Sequence, residues 1–242
     1  MKRNRSFLLG VLAAIDMAGG IASHSAADDT VKAPVVVELF TSQGCSSCPP
    51  ADEFLGRIAD REDVIALSLH VDYWDYLGWK DVYGLPGHSD RQRKYAAYMK
   101  ERMVYTPQIV INGQEGMVGS RVAMVEDAIR RHSEQPAATL VNVSLMGDRL
   151  VVEVAPLSAT SGHVVMAWYS RAEDVSIGAG ENSGRRIVYH NVVRGWADLG
   201  EWRGGRIAMT APKPMSADGV AVLVHDEATG RIVGAGRLSL VD

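Results

Sequence analysis

The stretch from Val35 to Asp52, VVVELFTSQGCSSCPPAD, constrains the fold more than any other part of the chain. Its apolar, β-branched start, Val35 to Phe40, barely alternates, which is the pattern of a strand covered on both faces. A short polar loop then delivers Cys45 and Cys48 in Cys-x-x-Cys spacing. Pro49 and Pro50 follow, and prolines are tolerated only in the first turn of a helix, where backbone N–H groups lack partners. Phe54, Leu55, Ile58 and Ala59 recur at helical spacing, so a helix is expected from Pro49 to Arg61. Cys48 precedes a proline and is expected to resist helical angles, which would delay the helix start.

The chain has only these two cysteines, so any internal disulfide joins Cys45 to Cys48. No second pair exists to complete a zinc site. The N-terminus has the make-up of a secretory signal: Lys2, Arg3 and Arg5, an apolar core from Phe7 to Ile15, then small residues. Cleavage is expected at Ser25-Ala26-Ala27 or Ser23-His24-Ser25, with residues 1–27 removed. The competing reading, an uncleaved membrane anchor, suffers from the shortness of the apolar run. Residues 1–27 carry three basic groups and one acid, so the net charge of −4 becomes −6 without them. An acidic, exported protein is expected in the periplasm or outside the cell. Nucleic acid and, for the mature form, membrane are not expected partners. In an oxidising compartment a Cys-x-x-Cys reads as a disulfide or a redox centre.

Val64 to Val71 reads as a second buried strand. Asp72 to Gly87, rich in aromatics, Gly and Asp, reads as a loop with short helical turns. A helix is expected over Ser89 to Arg102 and a strand over Val104 to Ile111, entered through Pro107 and left through an Asn112-Gly113 turn. Gln114 to Val118 returns, and Ser120 is expected to cap a last helix ending near Ser133. Strand, helix, strand, helix, hairpin and helix, with the dithiol after the first strand, predict an α/β, thioredoxin-like domain over residues 33–134. After a Glu134-Gln135-Pro136 linker the pattern changes to short alternating strands: 139–145, 149–155, 163–170, 186–193, 206–210, 219–224 and 234–241. These predict a small all-β, sandwich-like domain over 138–242.

ELFTSQGCSSCPPAD, from Glu38 to Asp52, resembles the signature of a bacterial secreted family of unknown function. The segments from His70 to Asp75, Thr106 to Gln108 and Gly180 to Arg185 are similar to it as well. The resemblance covers nearly the whole mature chain and implies a thioredoxin-like fold with a β-rich C-terminal part; the family's substrate is not established. Separately, Thr106 to Ile109 with Asn112-Gly113 resembles the proline loop of glutaredoxins.

The chemistry follows from the dithiol. At a helix N-terminus Cys45 meets unpaired N–H donors and the positive end of the dipole, which favour the thiolate. Cys45 is therefore the expected nucleophile and Cys48, one turn deeper, the resolving thiol. The competing reading is a structural staple, but so short a loop removes only about 2 kcal/mol of denatured-state entropy. Likeness to thioredoxin-like folds implies that Pro107 is cis beside the dithiol and that the Thr106 backbone pairs with substrate; a trans proline opening an edge strand is the alternative. Glu38, an acid in an apolar strand, is a candidate for moving the proton of the resolving thiol, or else a carboxylate satisfied at the strand's end.

His70, Asp72 and Trp74 follow the second strand toward the same side. They line the site, or His70 simply makes a structural hydrogen bond. Tyr73, Trp74, Tyr76 and Trp79 form either an aromatic lip for substrate or core packing. Gly180 to Arg186 reads most simply as a glycine-flanked loop between strands of the second domain, and its likeness to the family implies packing on the dithiol half. The expected activity is thiol–disulfide exchange with protein or small-molecule thiols and an unidentified redox partner, without a cofactor or resident metal. The alternatives are a Cu(I) metallochaperone using Cys45 and Cys48, with His70 as a third ligand, and a non-catalytic interaction protein.

Overall fold

The computed structural model describes residues 32–241; the expected signal, residues 1–27, lies outside them. Strand β1 (Val35–Thr41) leads through the cysteine loop to helix α1 (Pro49–Ile58) and strand β2 (Val64–His70). Helix α2 (Pro86–Met99), hairpin β3 (Gln108–Ile111) and β4 (Glu115–Val118), and helix α3 (Val122–Ser133) follow, in the expected order. β2 runs parallel to β1, from Val35↔Val64 to Thr41↔His70, and β3 is antiparallel to β1 on its other side. Strand alternation sends Val35, Val37 and Leu39 toward α1 and α3, where they meet Phe54, Leu55, Val125 and Ile129. Val36 and Phe40 point to the opposite face, against Tyr95 of α2. Both faces are covered, which is why the run carries so little polarity.

Several boundaries differ from expectation. α1 ends three residues early, and α2 begins at Pro86 rather than Ser89, with a proline in its first turn. Ser120 does not cap α3: the residue before the helix is Arg121, which makes no side-chain cap bond. Cys48 adopts helical angles (φ −78°, ψ −35°) despite the following proline, so α1 starts without delay. The Cys48 carbonyl repays this by accepting from the N–H groups of Ala51 (2.8 Å) and Asp52 (3.1 Å).

The second half contributes β5 (Thr139–Met146), β6 (Arg149–Pro156), β7 (Gly162–Ser176), β8 (Arg186–Trp202), β9 (Ile207–Pro212), β10 (Gly219–His225) and β11 (Ile232–Ser239). The expectation of a self-contained β domain needs correction. Four of these strands continue the first sheet, in the order β11-β10-β7-β8-β2-β1-β3-β4, and only β5-β6-β9 form a separate antiparallel sheet. The smaller sheet packs Val143, Leu150, Val152 and Val154 on Val164, Met166, Val220 and Val222 of the larger. The opposite face of β10 meets the α2 side of the first half through Ala221 and Leu223. The halves share that apolar core, but the strand pairing between them is one parallel bridge, Ser68↔Val192, reinforced by Asn191 Nδ2 donating to the Ala66 carbonyl at 3.0 Å. Arg237 adds donations to the carbonyls of Val64 and Arg61, both 2.9 Å.

β7 and β8 are about twice the expected length. Beyond their core they pair from Ala172↔His190 to Ser176↔Arg186, forming an arm that ends in the turn 177–185. Polar residues face solvent along much of that arm. Its β7 side, 171–176, lies beyond the expected strand, whereas its β8 side falls within the expected 186–193 and the added length of β8 is at 194–202. Among the described residues no helix is long and apolar enough to cross a membrane.

Candidate functional site

Cys45 and Cys48 are joined as a disulfide with Cα atoms 5.4 Å apart. Two tight turns build the loop: Cys45 N–H donates to the Ser42 carbonyl (3.1 Å) and Cys48 N–H to the Cys45 carbonyl (3.2 Å). Ser47 Oγ lies 3.5 Å from Cys45 Sγ. The Thr106–Pro107 bond is cis, and Phe40↔Gln108 pairing sets it beside the end of β1, where the cysteine loop begins. The Pro107 carbonyl accepts from Gly119 N–H (3.0 Å), and a Cβ on Gly119 would lie 3.1 Å from that of Ala51 in the first turn of α1. Trp74 ties the two loops together. Its Nε1 donates to Thr106 Oγ1 at 2.8 Å, while its backbone and Cβ press on Gly44, where a side chain would meet them at 3.1 Å. Cys45, Cys48, Thr106, Pro107 and Trp74 thus share one corner of the molecule.

Tyr76 stacks on Trp74 with ring centres 6.4 Å apart and is 77% exposed, whereas Trp74 and Tyr73 pack against the core. Trp79 is packing too. Its Nε1 donates to Gln43 Oε1 at 2.7 Å, its ring lies against Gly178, and its Cβ lies against Gly180.

An open site is not what the fold presents. Cys45 is 2% exposed and Cys48 is fully buried. The loop from Gly180 to Arg186 packs on the dithiol half, as expected, and does so over the cysteine loop itself. Asn182 Nδ2 donates to the carbonyls of both Gln43 and Cys45, each at 2.9 Å. Ser46 N–H donates to Glu181 Oε2 at 3.3 Å.

Glu38 does not stand beside the dithiol. It shares the strand face of Val36 and Phe40, where Arg91 Nε and Nη2 donate to its two oxygens at 2.6 and 3.1 Å and Tyr95 O–H donates at 2.5 Å. Every lone pair it uses is committed to α2, so the proton-moving role expected of it has no geometry here.

The buried acid near the cysteines is Asp52, one helical turn beyond Cys48, which sequence reasoning missed. Thr41 Oγ1 donates to its Oδ1 at 2.7 Å, and its Oδ2 is buried without a partner. Burial pushes its carboxyl up to about 7, against the pull of the His70 ring and the Thr41 hydroxyl, with Asp81 adding to the rise. His70 makes the structural bond expected of it: Nδ1 pairs with Asp81 Oδ2 at 2.7 Å. Burial raises the Asp81 carboxyl, but His70 and the N–H donors of Gln43 and Tyr83 outweigh it and hold the group below its ordinary value. His70 Nε2 and Tyr189 Oη are also buried and unpaired, and the two rings meet edge to face at 4.6 Å. The signal for Asp52 was present, since an acid among Ala51, Phe54 and Leu55 has no business in an apolar face without a task. Asp81 sits in the aromatic loop and carries no such signal.

His70, the third ligand considered for Cu(I), has its Nδ1 held by Asp81 and its Nε2 buried with its ring against Tyr189. Among the described residues no group of three His, Cys, Asp or Glu side chains is placed to hold a metal ion.

A protein of Agrobacterium tumefaciens, known from a crystal structure, is 32% identical over 86% of this chain and 95% of its own, with a TM-score of 0.76. HBP35 of Porphyromonas gingivalis shares the fold at 15% identity and a TM-score of 0.56, over 86% of this chain and 76% of its own. No curated protein matches the chain. The family model described as "Protein of unknown function (DUF1223)" matches residues 36–225, and the chain belongs to that family.

Proposed function

We propose that this is an exported, thioredoxin-like thiol–disulfide oxidoreductase with Cys45 as nucleophile and Cys48 as resolving thiol. The observation that carries the reading is a Cys-x-x-Cys disulfide between a buried strand and a helix start, with the Thr106–Pro107 loop alongside. In the reduced protein the Cys45 thiolate attacks one sulfur of a substrate disulfide and expels the other as a thiolate. Cys48 then attacks Cys45 Sγ, the internal disulfide forms, and the second substrate sulfur leaves. Two electrons pass from the dithiol to the substrate. The proton lost by Cys48 goes to Asp52, and water protonates the departing thiolates. Oxidation of a substrate dithiol runs the same steps in reverse. The partners are protein or small-molecule thiols, together with a redox partner that resets the centre.

Replacing Cys48 by Ser stops the second attack, so Cys48→Ser is expected to accumulate mixed disulfides with periplasmic or secreted proteins. Cys45→Ser, which lacks the nucleophile, is expected to trap none. Equal labelling by both variants on a non-reducing gel, or by neither, contradicts the assignment. Burial of both sulfurs favours a second reading, a structural staple. The same gel separates the two, because a staple captures nothing.

A further inference from the structure

We propose that residues 177–185 are a displaceable cap over the disulfide and that Asn182 is its latch, the residue that decides which thiols reach Cys45. The inference rests on reading Cys45 as the exchanging sulfur. The cap is closed on itself. Ile177 N–H donates to the Arg185 carbonyl (2.9 Å), Gly184 N–H to the Ile177 carbonyl (2.8 Å) and Arg185 N–H to the Asn182 carbonyl (3.1 Å). It can therefore lift as a unit without breaking its internal bonds.

Its polar attachments to the cysteine loop are few: the two donations from Asn182 Nδ2 and the single acceptance by Glu181. Beneath it, Gly178 rests on the Trp79 ring, where a Cβ would come within 3.1 Å, and Gly180 rests on the Trp79 Cβ, at 3.2 Å. A glycine at 178 lets the cap settle on that ring, and Ile177 beside it is the cap's buried apolar side chain. Gly180 also has a positive φ of 75°, the conformation that turns Glu181 and Asn182 toward the cysteines.

The latch is strong enough to close and weak enough to release. Asn182 is buried, and its Nδ2 serves the covered Gln43 carbonyl and adds a second donation to the Cys45 carbonyl, which already accepts from Cys48 N–H. Its Oδ1, however, is buried with no partner. That unpaired oxygen regains a water when the cap lifts, which offsets part of the loss of the two donations. The Glu181 contact is solvent-exposed and adds little. A closed cap hides Cys45 from a bulky thiol, and an open one frees the Gln43 and Cys45 carbonyls and the Ser46 N–H along one edge.

The test is the rate at which dithiothreitol reduces the disulfide in the folded protein. One dithiothreitol thiolate attacks Cys45 Sγ, Cys48 leaves as a thiolate and takes a proton, and the second dithiothreitol thiol closes its ring and releases Cys45. Asn182→Ala removes both donations and is expected to speed reduction about tenfold, the equivalent of one or two lost hydrogen bonds. Glu181→Ala, at an exposed position that the fold does not need, is expected to speed it about twofold. Urea unfolding of each variant is measured alongside. Unchanged rates in both variants overturn the proposal. So does an acceleration in Asn182→Ala matched by an equal fall in global stability, because the disulfide would then be reached by unfolding. The readout uses a small dithiol alone, so it stands apart from mixed-disulfide trapping: a latch without trapping sinks the oxidoreductase reading and leaves the cap.

Discussion

Arg91→Met is expected to destabilise the fold by about 3–5 kcal/mol, the cost of leaving one partner of a buried ion pair alone. Glu38 is fully buried at the centre of the sheet, and Arg91 supplies two of its three hydrogen bonds. The guanidinium also lies over the rings of Tyr95 and Trp196, at 5.0 and 4.5 Å, and donates toward His225 Nε2 at 3.0 Å. Burial and the neighbouring Arg91 charge push His225 down to about 3, so it is neutral and accepts. Methionine keeps much of the apolar stem and its contacts with the rings, which isolates the charge as the cause. Urea denaturation at neutral pH measures the loss. The double variant Glu38→Gln, Arg91→Met removes the stranded charge and is expected to recover most of it. A single-variant cost below about 1 kcal/mol would mean that Glu38 is satisfied without Arg91.

Asp52→Asn is expected to stabilise the protein above pH 7 while slowing exchange. The folded carboxyl holds its proton up to about pH 7, whereas its ordinary value is 3.8. Because the folded pKa is raised, the native state binds the proton more tightly. Stability therefore falls as pH climbs from about 4 to 7 and stays low above that window. At about 1.4 kcal/mol for each pH unit, the difference amounts to at most roughly 4 kcal/mol. Asparagine can keep the bond from Thr41 and cannot ionise, so the stability curve of the variant should lack this slope. Below pH 4 the two proteins should match. The exchange rate should fall by about 100-fold, the usual worth of a positioned proton acceptor. Parallel stability curves from pH 4 to 8 would show that Asp52 titrates normally, and an unchanged rate would remove it from the proton path.

What the sequence made legible was local chemistry. The cysteine loop and the Asn112-Gly113 turn each depend on a few adjacent residues, while the cis Thr106–Pro107 bond was implied by likeness to thioredoxin-like folds. The turn does adopt positive φ at both positions, 47° and 66°. What stayed hidden depends on distant partners. β8 joins β2 through one residue pair 124 positions apart, Ser68↔Val192, and no pattern in either strand announces it. The β7 side of the β7–β8 arm hid for a related reason, because one face is solvated and its tip is a glycine-flanked polar loop. That loop sits on Cys45, and both sulfurs are buried beneath it. Glu38 shows the limit from the other side. Strand parity already separates it from Leu39 and groups it with Phe40, but its partner lies on a helix more than fifty residues on, at Arg91.

The central claim, that Cys45 and Cys48 form a working redox couple, is tested most directly by their reduction potential, measured by equilibration with glutathione or dithiothreitol buffers. The account predicts a value between about −120 and −270 mV, the span of thiol–disulfide exchange proteins. A value below about −300 mV, typical of structural disulfides, would contradict it.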